Sequence, residues 1–233
     1  MMGERVCFKG FSGTDLKYIG LISMTLSHAG IALAGSQYPQ VQWLLNQAGR
    51  PAAILYFFLV AEGFCHTSSR KRYLARLMFW GAVSEIPYDL ALWGRLADFS
   101  RQNIFWTLAI GLAVLWAASL AWGKGMFWEN DALAGAALLG CGAAWALHAD
   151  YDVVGVLLIA WFYWARDSRR RQIAGAFVIF LIFMDLEWIP AASLALVFLW
   201  MYNGTRGETV HPLFFYGYYP VHLGVLAFIR FHS

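Results

Sequence analysis

The fold is decided first by residues 15–30, which read Asp15-Leu-Lys-Tyr-Ile-Gly-Leu-Ile-Ser-Met-Thr-Leu-Ser-His28-Ala-Gly30. This stretch is apolar enough to begin a membrane span, since a spanning helix needs about 20 predominantly apolar residues. It nevertheless carries His28 in its interior. An ionisable side chain at that depth is costly to desolvate, so it predicts a functional site. A packing histidine, hydrogen-bonded to a neighbouring helix, is the alternative.

The composition extends this pattern to the whole chain. Of its 233 residues, 60% are hydrophobic and 13% are charged, whereas soluble domains have about 25% charged residues. We therefore predict an all-α fold, a polytopic integral membrane helical bundle with about nine transmembrane helices, in one domain over 1–233. The predicted spans are 14–34, 42–66, 72–92, 103–122, 131–148, 151–166, 172–186, 188–203 and 211–231. The seventh and eighth are short, and a hairpin that does not cross fully is the alternative there.

The basic residues predict the orientation. The net charge of +3 comes from short loops between apolar segments, which indicates the positive-inside rule rather than a nucleic-acid partner. With a cytoplasmic N-terminus and an odd number of spans, 13 of the 17 basic residues face inward. These are Arg5, Lys9, Lys17, Arg70, Lys71, Arg72, Arg76, Lys124, Arg166, Arg169, Arg170, Arg171 and Arg206. Arg50, Arg95, Arg101 and Arg230 then face outward.

Polar residues interrupt at least five of the apolar segments. Each has a structural alternative: Arg50 can mark a helix start, Glu62 can form an ion pair, and Asn103 can cap a helix. Together they predict one polar constellation inside the bundle, because a membrane scaffold has no need of so many desolvated polar groups. Its members are His28, Arg50, Glu62, Glu85, Asp89, Asn103, Asp152 and His222.

The order of these motifs resembles the TraX family over nearly the whole chain. That family includes the acetylase of F-type conjugative pilin and the similar TrbP proteins. The resemblance rests on Asp15-Leu-Lys17 with His28, Ala48-Gly-Arg50-Pro, Val60-Ala-Glu62-Gly-Phe-Cys-His66-Thr67, Lys71-Arg72-Tyr73-Leu-Ala-Arg76, Ser84-Glu85-Ile-Pro-Tyr-Asp89, Gln102-Asn103-Ile-Phe-Trp-Thr107, Asp150-Tyr-Asp152-Val-Val-Gly155, Tyr202-Asn203-Gly204 and Tyr218-Tyr-Pro220-Val-His222.

The resemblance implies an inner-membrane N-acetyltransferase that uses acetyl-CoA and acetylates the N-terminal amine of a pilin subunit. No metal and no nucleic acid are expected. The catalytic residues expected are His28, as general base, with Glu62, Arg50, Glu85 and Asp89. Binding of the CoA phosphates is expected from Arg70, Lys71, Arg72, Arg76 and Arg166. Substrate contacts are expected from Asn103, Asp152, Tyr219 and His222.

One departure and two rival functions accompany this prediction. The family usually has Asp directly before the first-span histidine, where this chain has Ser27, so another carboxylate would have to orient His28. Asp15-x-Lys17 followed by His28 also resembles integral-membrane acyltransferases that modify surface sugars, in which the histidine is taken as catalytic. A proton-coupled carrier and a non-enzymatic pilus-assembly protein are the alternatives. We see no inverted repeat of the kind that many carriers have.

Overall fold

The computed structural model describes residues 10–34, 37–121 and 125–232, and these residues form an α-helical bundle. Arg5, Lys9 and Lys124, which were counted toward the predicted orientation, lie outside them. The described helices are α1 (Gly13–Ala29) with a π-helical turn (Gly30–Ala34), α2 (Pro39–Gly49), α3 (Pro51–His66), α4 (Arg70–Trp93), α5 (Ile104–Ala118) with a 3-10 turn (Ser119–Ala121), α6 (Met126–Ala146), α7 (Asp152–Trp164), α8 (Arg169–Phe183), α9 (Ile189–Trp200) and α10 (Pro212–His232).

The helix ends follow from local sequence. Ser12 and Asp15 form a capping box at the start of α1, in which each side chain bonds the backbone of the other residue. Pro51 begins α3, where the missing N–H of proline costs nothing. Gly94 ends α4 in the left-handed region, at φ 68°. The predicted second span is accordingly two helices, α2 and α3, which meet at Arg50.

Each of the other eight predicted spans contains one α-helix. Among the described helices, four runs are long and apolar enough to cross a membrane, namely Gly13–Ala34, Pro39–His66, Ile104–Ala121 and Pro212–His232. Two shorter apolar helices, Asp152–Trp164 and Ile189–Trp200, measure only about 20 and 18 Å at 1.5 Å per residue. A hydrocarbon core is about 30 Å thick. The all-helical fold is therefore confirmed, and the count of nine spans stays a prediction.

The outer surface of the bundle is apolar, as lipid contact requires. Ile22, Leu139, Val221 and Phe228 are each more than 60% exposed. Soluble monomers rarely expose large contiguous apolar patches. The core lies between α1, α3, α5, α7 and α10, where Leu16, Phe57 and Leu112 are completely buried.

The two ends of the bundle have different connections. At one end, which we call the mouth end, the start of α1 is tied to the α9–α10 loop: the Gly13 N–H donates to the Thr205 carbonyl and the Thr14 N–H to that of Arg206. At the opposite end, which we call the far end, the Arg230 guanidinium donates to the Ala91 carbonyl. The start of α1 and the end of α10 thus lie at opposite ends of the bundle.

Candidate active site

A cavity of about 660 Å³ runs into the bundle between α1, α3, α4, α5 and α10. Its exposed lining residues, including His66, Ser68 and Arg206, lie at the mouth end, so the cavity opens there. Its deep lining includes the buried side chains of Met24 and Tyr219. The volume lies within the range of about 300–1,000 Å³ that is typical of ligand pockets.

The mouth of the cavity is predominantly cationic. Lys17, Arg76 and Arg206 line it, together with one carboxylate, Glu62. The Glu62 Oε1 atom accepts a hydrogen bond of 3.1 Å from the Tyr202 hydroxyl. The same oxygen lies 3.4 Å from His66 Nε2. Glu62 is therefore a partnered group of the mouth, and the structure does not bring it to His28.

His28 pairs with His222, so the structure joins the first and last helices at two predicted residues. His28 Nδ1 lies 2.8 Å from His222 Nε2, and the two rings are nearly parallel, at 7°. His222 Nδ1 lies 2.9 Å from the Tyr218 carbonyl oxygen. His28 is the 16th residue of the 22-residue run Gly13–Ala34, about 22 Å along the helix from Gly13. It is therefore nearer the far end than the middle.

This geometry assigns the tautomers of the neutral pair. A carbonyl oxygen only accepts hydrogen bonds, so His222 Nδ1 must carry a proton. The Nε2 atom of neutral His222 is then an acceptor, and His28 Nδ1 must donate to it. Neutral His28 is left with its lone pair on Nε2. The pair therefore holds one imidazole nitrogen as a base, oriented by a second imidazole.

Ser27 does not replace the aspartate that the family usually has beside this histidine. Its hydroxyl donates to the Asn46 side-chain oxygen at 3.0 Å, on α2. If the family's aspartate orients the histidine, a carboxylate would be required here in its place, and the described residues give His28 an imidazole partner instead. The hydrogen-bond partner of His28 is an imidazole, supplied by the last helix.

Tyr219 lies between the cavity and the histidine pair. It is 3% exposed and lines the cavity. Its ring centroid is 5.8 Å from that of His28 and 5.6 Å from that of His222, both edge-on. The two histidines do not themselves line the cavity, and Tyr219 links the cavity to them.

Glu85 and Asn103 meet at the start of α5. Glu85 Oε1 accepts hydrogen bonds from the Asn103 side-chain amide at 2.7 Å and from the Trp106 indole N–H at 2.5 Å. The Asn103 Oδ1 atom accepts from the Phe105 N–H at 3.0 Å, which caps the helix. Asn103 is completely buried. These contacts anchor α5 to α4, and Asn103 does not line the cavity.

Three further residues of the predicted site, Asp89, Arg50 and Asp152, lie at the far end, apart from the histidines. Asp89 Oδ2 accepts from the Asp98 N–H at 2.8 Å and so orders the α4–α5 loop. The Arg50 guanidinium lies 3.8 Å from the ring centre of Trp188, a stacking contact. Asp152 begins α7. None of the three lines the cavity.

The turn before α7 is conformationally unusual. His148, Tyr151 and Asp152 have positive φ angles of 52°, 61° and 41°, a region that non-glycine residues seldom adopt. Asp150 lies within this turn, outside the helices. Burial raises the pKa of Asp150 from 3.8 to about 6, against the opposing charges of Arg101 and Arg50. The turn thus holds a carboxyl group that resists ionisation.

Among the five basic residues expected at the CoA phosphates, the structure brings only Arg76 to the cavity. Arg70 donates to the Ser119 hydroxyl at 2.9 Å, and Arg166 donates to the Tyr163 carbonyl at 3.1 Å. Lys71 and Arg72 are exposed on the first turn of α4. A basic run on a helix points in several directions, so its members do not share one site.

Sequence reasoning missed several residues of the cavity. Lys17 and Arg206 were counted only toward the orientation, although Lys17 belongs to the Asp15-x-Lys17 motif that drew attention to His28. Tyr56 and Tyr73 also line the cavity. A tyrosine hydroxyl in an apolar helix needs a polar partner or an aqueous space, and this was the signal that could have found them.

The fold and the site together define a class: a helical membrane protein with a cationic cavity that leads toward a histidine pair. The family model described as TraX protein matches residues 12–230, so this chain belongs to the TraX family, and the resemblance is confirmed. The chain is 28% identical over 238 aligned positions to the probable fimbrial assembly protein FimC, serogroup H1, of Dichelobacter nodosus. That alignment covers 93% of this chain and 95% of the relative. No solved structure matches the chain.

Proposed function

We propose that this protein is an acetyltransferase of the bacterial inner membrane, which transfers the acetyl group of acetyl-CoA to the N-terminal amine of a pilin subunit. Membership of the TraX family and the similarity to a probable fimbrial assembly protein support a role in pilus assembly. The observation that carries the enzymatic part is the His28–His222 pair, whose tautomers leave a basic nitrogen on His28.

His28 acts as the general base. An α-amine has a pKa of about 7.7–8.0, so a modest fraction is already neutral at pH 7. As that amine attacks an acyl carbon, His28 Nε2 accepts its proton, and the hydrogen bond to His222 shares the resulting positive charge. Such general-base assistance contributes about 10²–10⁴-fold to the rate. His222 acts as a positioning residue, because it fixes the proton of His28 on Nδ1.

The cavity fits an acyl donor with a charged head and an apolar arm. Lys17, Arg76 and Arg206 at the mouth would hold phosphates, since ammonium and guanidinium groups make charge-assisted hydrogen bonds to them. The deeper lining is aromatic and aliphatic, with Met24 and Tyr219 at the level nearest the histidines. Acetyl-CoA supplies a thioester as the acyl group. The chain's own residues bind the acyl donor, orient the reacting groups and take the proton of the amine.

The arrangement also fits a reaction whose donor and acceptor come from opposite sides of the membrane. With the N-terminus in the cytoplasm, as the basic residues predict, the cavity mouth faces the compartment that contains acetyl-CoA. The histidine pair lies about 22 Å further along α1, toward the opposite side. Donor and acceptor can then approach the same nitrogen from opposite directions.

Mass spectrometry of a co-expressed pilin tests this function. We expect one acetyl group on the pilin N-terminus with the wild-type protein and none with His28→Ala, at equal levels of both proteins in the membrane. His232→Ala is the matched control, because this exposed histidine bonds the Phe228 carbonyl, one turn back on α10, and does not line the cavity. An unmodified pilin with wild-type protein, together with normal pilus assembly, would favour the non-enzymatic alternative. Ion-dependent flux in vesicles would favour a carrier.

A further inference from the structure

The hydroxyl of Tyr219 is a buried polar group whose O–H has no acceptor among the described residues. The residue is 3% exposed, and its hydroxyl oxygen has no hydrogen-bond partner of standard geometry among the described residues. It faces the backbone N–H of Ile104, the first residue of α5. Both residues line the cavity. An unpaired buried hydroxyl costs about 1–3 kcal/mol, so its retention calls for an explanation.

The amino end of α5 adds a second donor at the same place. The first N–H groups of an α-helix have no partner within the helix, and the helix dipole gives them a partial positive charge. The Asn103 side chain accepts from the Phe105 N–H, while the Ile104 N–H faces the Tyr219 oxygen. An O–H group and a helix N-terminus thus converge on one deep part of the cavity.

We propose that the Tyr219 hydroxyl and the amino end of α5 at Ile104 form the site that receives the negative charge developing on the acyl carbonyl oxygen during transfer. The inference rests on the proposed acetyltransferase function and deepens it. Two observations carry it. The first is the buried hydroxyl, without an acceptor, of a residue that lines the cavity. The second is the edge contact of the same ring with each of the two histidines. Base and oxyanion donor are therefore adjacent.

Transfer begins with attack of the amine on the acyl carbon. The amine lone pair forms the new C–N bond, while the carbonyl π pair moves onto oxygen, where Tyr219 O–H donates a hydrogen bond to it. His28 Nε2 takes the proton of the attacking amine. When the carbonyl re-forms, the C–S bond breaks, and the departing thiolate takes the proton from His28. The products are an amide and a free thiol, and Tyr219 keeps its own proton throughout.

Arg50, which is among the expected catalytic residues, is not the oxyanion donor in this proposal. Arg50 stacks on Trp188 and does not line the cavity. A neutral donor also suits a buried site better, because a desolvated guanidinium without a counter-ion is costly. Preorganised neutral donors gain strength in such a water-poor site.

The variant Tyr219→Phe tests the proposal, because it keeps the ring and removes only the hydroxyl. Protein in detergent is assayed with acetyl-CoA and a peptide that carries the pilin N-terminus. We expect kcat to fall by about 10²–10³-fold, as for other single oxyanion donors, with KM for acetyl-CoA unchanged. The thermal unfolding temperature should change little, since the O–H group of Tyr219 has no acceptor among the described residues to lose. Tyr163→Phe is the control, because Tyr163 is equally buried, at 4%, and lies outside the cavity.

The outcomes separate this inference from the function on which it rests. If wild-type protein and Tyr163→Phe both transfer acetyl groups, and the kcat of Tyr219→Phe is within a few-fold of that of wild type, the oxyanion site is overturned while the proposed function stands. A fall in unfolding temperature that parallels the loss of activity overturns it as well, because the hydroxyl would then be structural. Absence of transfer by wild-type protein removes both the function and the site.

Discussion

The two ends of the bundle use polar residues in different ways. At the mouth end, Lys17, Arg76 and Arg206 surround a cavity that opens outward. Beyond the cavity, toward the far end, Glu85 and Asn103 are occupied by hydrogen bonds that hold helices together. The polar residues of this bundle thus fall into two groups, those that line an open cavity and those that hold helices together. The histidine pair with Tyr219 is the exception, because it lies deep and keeps hydrogen-bonding capacity unused.

The sharpest test of this comparison is between the two histidines. His28→Ala removes the free Nε2 base, so acetyl transfer should fall by at least about 10²-fold. His222→Ala removes only the group that orients His28, so its loss of kcat should be smaller. Both variants should remain folded, because alanine suits a helix and removes a polar group from an apolar surrounding. The measurement is kcat with acetyl-CoA and a pilin peptide.

A reversal of that order would place the base on α10. If His222→Ala is inactive while His28→Ala keeps nearly full turnover, the tautomer assignment is incorrect. If both variants are stable and active, the pair is structural, and the contrast between occupied and unoccupied polar groups disappears.

The second test concerns the cations at the mouth. The double variant Lys17→Gln/Arg76→Gln should raise KM for acetyl-CoA by about 10²-fold, since each of the two charge-assisted hydrogen bonds is worth at least about 1.5 kcal/mol and 1.4 kcal/mol is a factor of ten. Lys71→Gln/Arg72→Gln removes the same charge from a surface outside the cavity and should raise KM less. Steady-state kinetics at several salt concentrations measures both. A larger effect of the second variant would restore the basic run as the phosphate site.

The fold was largely predictable, because composition and apolar segments fix where helices lie in a membrane. His28 and His222 were predictable too, since each is a costly residue in an apolar run. The direct contact between them could not be predicted, because no local sequence pattern indicates which helices become neighbours. For the same reason the carboxylates were grouped with the histidines, although Glu62 is at the mouth and Asp89 orders a loop.

The third test asks whether Glu85 anchors or catalyses. Glu85→Ala leaves the buried donors of Asn103 and Trp106 without an acceptor, so it should cost about 1–3 kcal/mol of stability. Glu85→Gln retains an amide oxygen that can accept, so it should lose less. Thermal unfolding in detergent measures the difference. A Glu85→Ala protein of normal stability that is inactive would instead make Glu85 a member of the active site.

The smallest effect is expected from Asp150 in the turn before α7. Burial raises the pKa of Asp150 to about 6, above its ordinary value of 3.8. Between these two values the folded state binds more protons than the unfolded state, so this group makes stability fall as the pH rises from about 4 to 6. Asp150→Asn cannot ionise, so it should unfold at a higher temperature than wild type at pH 7 and at a similar temperature at pH 4. Thermal unfolding of both proteins across this range measures the difference. If the unfolding temperatures of the two proteins instead change in parallel with pH, Arg101 and Arg50 fully offset the cost of burying the Asp150 carboxylate. The far end would then hold a charged side chain as readily as the mouth end.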